Sequence, residues 1–348
     1  MKVLVRATNW LGDAVMSIPA LREIRRVYPH ASIVILARQW VADLYSREDF
    51  CDRILVYDHT GRHAGSFGKL RLANELRRER FDEAILLQNA FDAALLAFLA
   101  RIPVRIGYSR DARGVLLTEA VAVPAPGTVP EHQRFYYLEL LRRAGRIESL
   151  PECADIKLGR IEGAAAAGRK RWVNRGMPKG PWIGVSPGAA YGGAKRWIPE
   201  RFATAARSLA DQLGANIAVF GSPAEAELCQ SIAAQAGERA HSLAGKTSLA
   251  EFIELAATCS VYLTNDSGPM HVAAALGLPT VAVFGATDHV ATGPSASWAK
   301  VLRHQVECSP CMLRECPIDH RCMTAVTVDE VVAEALALLD ARRERTLI

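Results

Sequence analysis

Strand-like and helix-like segments alternate along this chain, and the pattern runs through both halves. Short β-branched runs read KVLVRA, SIVILA, RILVYD, EAILLQ and VRIGY in the first half, then WIGVSP, NIAVFGS, SVYLTND and PTVAVFG in the second. Between them lie segments with apolar residues at helical spacing, such as IPALREIRRVYP and GKLRLANELRRERF. Strand–helix alternation implies parallel pairing, and a parallel sheet must be covered on both faces. The expected fold class is therefore α/β, with two doubly wound, Rossmann-like domains facing a cleft.

Residues 163–181, GAAAAGRKRWVNRGMPKGP, change the texture from small to basic to Gly and Pro. That reads as a helix followed by a linker. The expected domains are 1–172 and 180–326, with a closing helix over 327–348 that packs on one of them. Thr327 and Glu330 stand at capping-box spacing at its start. Further helices are expected near 199–213, 223–236, 248–258 and 268–277. Ile18, Leu21 and Ile24 form one stripe, while Pro19 fits only near a helix start or at a kink. The turn at Asp13 is therefore expected to be separate or bent.

At 348 residues, half of them hydrophobic, the chain exceeds one ordinary core. No run of about 18 uncharged apolar residues occurs, so no membrane span is expected. The opening MKVLVRATNW lacks the apolar core and cleavage site of a secretory signal. A cytosolic chain with reduced cysteines is the expectation. The first 150 residues hold 22 Lys and Arg against 17 Asp and Glu, and the remainder 20 against 20, so the whole excess of +5 lies in the first half. Such an excess suits an anionic partner, a phosphorylated substrate or a membrane surface, as well as ordinary surface scatter. Aromatic residues are not interleaved with basic clusters, so nucleic acid is not an expected partner.

In open parallel sheets ligands bind beyond the carboxyl ends of the strands. The chemically unusual residues collect there: Gly12-Asp13, Pro187-Gly188 with YGGAKRW, Gly221-Ser222 with Glu225, Asn265-Asp266-Ser267-Gly268, and Gly285-Ala286-Thr287. In TNDSGPMHVAAALG a helix begins at Asp266, Ser267 and Gly268. Its free N–H groups suit a diphosphate, and His271 lies about one turn in. A plain capped helix start is the competing reading. Lys195, on a glycine-rich loop, is either a phosphate ligand or a surface lysine, and Lys246 in AGKTSLAEF shares that ambiguity. The GKTS text lacks the upstream glycine of a Walker loop, and Ser248 is a candidate cap. Asp13 is either a cap or dipole partner, or a general base.

Cys308, Cys311, Cys316 and Cys322 form CSPCMLRECPIDHRC, with His320 close by. Four thiols in fifteen residues resemble a metal-ligand set, but the C-x2-C-x4-C-x5-C spacing is not that of a standard zinc finger. A compact reduced loop is the alternative. Cys51, Cys153, Cys229 and Cys259 read as scattered small core residues.

These pieces resemble the ADP-heptose:lipopolysaccharide heptosyltransferases, and among them the second-heptose branch. The matching stretches are VLVRATNWLGDAVMSIPAL, SPGAAYGGAKRWIPERFA, TNDSGPMHVAAALGLPTVAVFG and CSPCMLRECPIDHRC, together spanning residues 3–322. The resemblance implies a GT-B fold and an inverting reaction that needs no metal or other cofactor. It implies an ADP-heptose donor in the second domain, and in the first an acceptor made of lipid A bearing Kdo and one heptose. It also implies a cytoplasmic enzyme, peripheral at the inner face of the inner membrane, whose final helix crosses back to the first domain. Asp13 matches the family's base and Lys195 a donor-phosphate lysine. Glu225 matches a donor-ribose acid, and Asp266, Ser267, Gly268 and His271 the donor-binding turn. Lys246 is a further donor candidate. Asn9, Trp10, Gly12, Arg62 and Arg110 are acceptor candidates, with Arg101, Arg105 and Arg113 also considered. Ala190 and Tyr191 stand where first-heptose enzymes carry threonines, so those contacts do not carry over. The rival readings are another GT-B transferase using a different nucleotide sugar, a two-lobed sugar-binding protein, and a metal or redox protein centred on the cysteine tail.

Overall fold

The computed structural model describes residues 1–346, with side chains to 344. It divides into two compact units, Met1–Gly159 and Arg160–Ile348. The first unit runs β1 Lys2–Arg6, α1 Leu11–Met16, α2 Ile18–Val27, β2 Ser32–Arg38, α3 Gln39–Tyr45, β3 Arg53–Tyr57, α4 Gly65–Glu79, β4 Glu83–Leu86, α5 Phe91–Leu99, β5 Val104–Tyr108, β6 Glu119–Val121 and α6 Gln133–Arg143. The second runs α7 Ile161–Asn174, β7 Trp182–Ser186, α8 Pro199–Leu213, β8 Asn216–Val219, α9 Ala226–Ala236, β9 Ala240–Ser242, α10 Leu249–Ala256, β10 Cys259–Asn265, α11 Gly268–Ala275, β11 Thr280–Val283, α12 His289–Thr292, β12 Ala299–Leu302, α13 Arg321–Thr324 and α14 Val328–Thr346.

Both sheets are parallel and six-stranded, ordered β3-β2-β1-β4-β5-β6 and β12-β11-β10-β7-β8-β9. Counted from each unit's first strand, the two orders are the same. Each sheet reverses direction beside that strand, between β1 and β4 and between β7 and β10. Helices on both faces explain why the strands read as apolar runs: Val3, Leu4 and Val5 of β1 and Val261, Tyr262 and Leu263 of β10 are almost wholly buried.

Local expectations hold. Pro19 occupies the first turn of α2, which Ser17 separates from α1, and Ile18, Leu21 and Ile24 are buried. Ser248 and Thr327 form capping boxes with Glu251 and Glu330.

Three expectations need correction. The joint between units lies before α7, not after residue 172. The Trp172 ring stacks on Trp182 at 3.9 Å, and Arg171 pairs with Glu251 at 2.7 Å and with Glu254, so α7 covers the second sheet. The closing helix does not reserve its apolar face for the first domain, because Val331, Ala335 and Leu339 belong to the second unit's core. Among the other cysteines, Cys229 and Cys259 are buried, but Cys51 is only half-buried and Cys153 is exposed.

Candidate active site

In the first unit the carboxyl end of β1 leads directly into α1. Asp13 sits half-buried in the first turn of α1, where the helix dipole favours an anion. It is not the N-cap, which is Trp10. Tyr137 of α6 donates its hydroxyl to Asp13 Oδ1 at 3.1 Å. Burial, with the Asp13 charge second, pushes the Tyr137 phenol well above its ordinary range, so it stays a proton donor.

The rest of that edge is organised by buried arginines. Arg6 donates to Ala7 O at 2.6 Å, to Leu36 O at 3.2 Å and to Asn9 Oδ1 at 3.0 Å. Trp40 Nε1 donates to the main-chain carbonyl of Asn9 at 2.9 Å, so Asn9 is held through one backbone and one side-chain oxygen. Arg113 donates to Tyr108 O at 2.8 Å, to Asn89 Oδ1 at 3.1 Å and to Gln88 O. Burial lowers the pKa of each guanidinium to about 10, which leaves both charged at neutral pH. Gly12 lies inside α1, and Trp10 is exposed at its start. Arg62 and Arg110 are exposed on loops after β3 and β5, paired with Glu75 at 2.6 Å and Asp111 at 3.6 Å. Arg105 turns to the opposite end of β5, donating to Leu116 O and Ile102 O, with Arg101 preceding that strand.

In the second unit the reversal point between β7 and β10 gathers the donor candidates. Lys195 follows β7 on a short 3-10 turn, and its Nζ lies 2.6 Å from Asp266 Oδ2. Thr287, beyond β11, donates its hydroxyl to the same carboxylate oxygen. Asp266 is therefore an ion-pair and hydrogen-bond partner, not a helix cap. Asn265 accepts from Trp197 N at 2.9 Å and donates to Pro187 O at 2.7 Å, tying the β7 and β10 corners together. Ser267 is the N-cap of α11 without a side-chain cap bond, and its hydroxyl lies 3.3 Å from Thr264 Oγ1. Gly268 opens that helix, and His271 is buried within it.

Glu225 reaches the same edge. Its Oε2 accepts from Ser222 N and Oγ, both at 2.8 Å. A Cβ at Gly188 would meet Glu225 Oε1 at 1.8 Å, so only glycine lets the carboxylate lie against the β7 corner. Lys246, exposed, follows β9 at the same carboxyl edge, its Nζ donating to Ser242 O at 3.0 Å and its neighbour Gly245 donating its N–H to Gly221 O at 3.0 Å.

The cysteine segment braces the Lys195 loop. Arg314 O accepts from Ala194 N at 2.9 Å, Glu315 Oε1 accepts from Gly193 N at 2.9 Å, and Tyr191 donates to Met312 O at 2.8 Å. All four cysteines of that segment are free, and Cys322 is buried. Among the described residues no group of three or more His, Cys, Asp or Glu is placed to hold a metal ion, although Cys308, Cys311 and Cys316 lie close enough to Cys322 to raise its thiol pKa after burial.

The two edges therefore offer different chemistry: an oriented carboxylate in one unit, and in the other a lysine held beside an uncapped helix start. Sequence reading missed Tyr137 and Arg6, and Thr287 was noted only as part of a corner.

Comparison with known proteins adds three findings. The model of glycosyltransferase family 9 (heptosyltransferase) matches residues 69–321. The chain is 33% identical to lipopolysaccharide heptosyltransferase 2 of Salmonella typhimurium over 314 residues, covering 87% of this chain and 88% of that one. It is 31% identical to lipooligosaccharide heptosyltransferase 2 of Haemophilus influenzae, with the same coverage. The solved structure of E. coli ADP-heptose LPS heptosyltransferase II matches with a TM-score of 0.82 and 29% identity, covering 99% of this chain and 100% of that one.

Proposed function

The chain belongs to glycosyltransferase family 9, the heptosyltransferases, and from that premise we propose that it transfers heptose from ADP-heptose to the first heptose of the lipopolysaccharide inner core. The observation that carries this reading is the end-to-end likeness to heptosyltransferase 2 proteins, whose stated donor in the E. coli structure is ADP-heptose.

In this reading the acceptor hydroxyl attacks the anomeric carbon of the donor and inverts it. The new carbon–oxygen bond forms as the bond to the β-phosphate oxygen breaks. Asp13 takes the hydroxyl proton, with Tyr137 fixing its carboxylate through Oδ1. ADP departs with the electron pair, and Lys195 and the first N–H groups of α11 meet the added negative charge. Binding a diphosphate there draws Lys195 away from Asp266, whose charge Thr287 still satisfies in part. Glu225 serves the donor ribose as a hydrogen-bond acceptor. Acceptor anions, the carboxylates and phosphates of a Kdo-bearing lipid A, fall to the arginine-rich first unit. The enzyme works at the inner face of the inner membrane; among the described residues no helix is long and apolar enough to cross one.

Incubating the protein with ADP-heptose and a Kdo2-lipid A acceptor bearing one heptose tests the proposal. The expected result is one ADP released per heptose added to the acceptor mass. ADP release without a heptosylated product, or transfer from another nucleotide sugar alone, would overturn it.

A further inference from the structure

At the amino-terminal ends of β7 and β10, the end of the second sheet opposite Lys195 and Asp266, lies a groove of about 1050 Å³. Its floor is the Trp172–Trp182 stack, with interplanar angle 6°. Both rings are buried, 5% and 2% exposed, and Trp172 Nε1 donates to Thr258 Oγ1 at 2.8 Å, so the accessible apolar lining comes from Val173, Met177, Pro178, Pro181 and Leu213. Leu213 and Leu339 add apolar wall, and Val173, 68% exposed, stands at the mouth.

The charged side chains that line the groove are Arg169, Lys179, Arg342 and Arg343, with no carboxylate among them. All four are exposed, and Asp340 pairs with Arg343 at 3.3 Å from outside the lining. A helix dipole accounts for basic residues near the end of α14. It does not account for Lys179, which lies on the loop between α7 and β7, nor for an apolar floor beneath the cations. Long basic side chains with apolar stems along a groove and charged tips at its rim match a ligand with an anionic head and an apolar tail. A fully hydrated anion gains nothing from the apolar lining.

We propose that this groove seats an anionic membrane lipid, its phosphate among Lys179, Arg342 and Arg343 and its acyl chain along the apolar lining above the buried tryptophans. The inference rests on the reading above only in that a lipid-borne acceptor brings the enzyme to a bilayer. It assigns the groove a role apart from the donor edge.

The test uses the full chain and large unilamellar vesicles of phosphatidylethanolamine with either phosphatidylglycerol or phosphatidylcholine. Sedimentation is expected to show binding to the anionic vesicles, and Arg342→Gln/Arg343→Gln is expected to weaken it roughly 25-fold, about fivefold per basic side chain at an anionic surface. Brominated acyl chains should quench tryptophan emission in the parent, and less so in Trp172→Phe. Equal binding to both vesicle types, or unchanged partitioning of the double variant, overturns the proposal. Binding that depends on the arginines but ignores bromination places an acidic partner in the groove and overturns the lipid assignment. Transfer to a deacylated, water-soluble acceptor, measured in parallel, is expected to be the same in the double variant and the parent. Its absence in both counts against the transfer reading alone, and the vesicle result still decides the groove.

Discussion

Tyr137 and Asp13, 124 residues apart, meet at 3.1 Å, and this contact links α6 to the corner that follows β1. A buried phenol that stays protonated can hold a carboxylate without competing for its proton. Tyr137→Phe removes the donor and keeps the ring. We expect kcat to fall about 5-fold with KM for the donor unchanged, and stability to fall by about 1 kcal/mol, the net worth of one hydrogen bond. Steady-state kinetics and urea unfolding read the two effects separately.

Lys195 tests the other edge. A single charge-stabilising contact to a leaving group is worth about 10²-fold in rate. Lys195→Met is expected to lose about that much in kcat. Asp266→Ala leaves Lys195 without its 2.6 Å partner and Thr287 without its acceptor. It should cost stability as well, about 3 kcal/mol, because breaking a largely buried pair strands the remaining charge. Lys195→Met strands the more buried Asp266 carboxylate and should destabilise by a similar amount, and chemical denaturation of the two variants checks both.

The shape of the fold was legible because parallel α/β sheets write themselves as apolar runs separated by amphipathic helices. Lys195, Asp266 and Glu225 were legible because each follows a strand closely, so topology alone delivers them to one edge. Tyr137 was not, since nothing near it in sequence points to a carboxylate 124 residues away. The unit boundary was set too late because the Gly- and Pro-rich stretch marks the end of α7, while the joint precedes it.

Alkaline pH should weaken the protein. Burial raises the phenols of Tyr28, Tyr45, Tyr108, Tyr137 and Tyr262 above the ordinary value of 10.0, Tyr28 to about 12. The neutral form is favoured in the fold, so the stability these groups contribute is complete below pH 10. It is lost as pH rises past that point, because the unfolded chain ionises first. The urea midpoint is expected to hold between pH 7 and 9 and to fall above pH 10. Phenolate absorbance at pH 10.5 should report fewer ionised tyrosines in the folded protein than in urea.

Gly168 is where α7 rests on α10. A Cβ there would stand 2.0 Å from Glu254 O, a backbone atom that cannot swing aside. Gly168→Val is expected to cost 3 kcal/mol or more, by roughly the measure of overpacked cores. Thermal unfolding checks this, and Gly163→Ala on the same helix, where no atom lies within 4 Å, should leave stability unchanged or slightly raised, Ala being the better helix former.

The account turns on Asp13 as the proton acceptor, and Asp13→Asn tests it most directly, because the amide keeps the size of the carboxylate and removes its basicity. Single-turnover transfer from ADP-heptose, measured alongside ADP affinity, should show a loss on the order of 10³-fold with affinity unchanged within about a factor of two. Turnover near that of the parent protein would contradict the account.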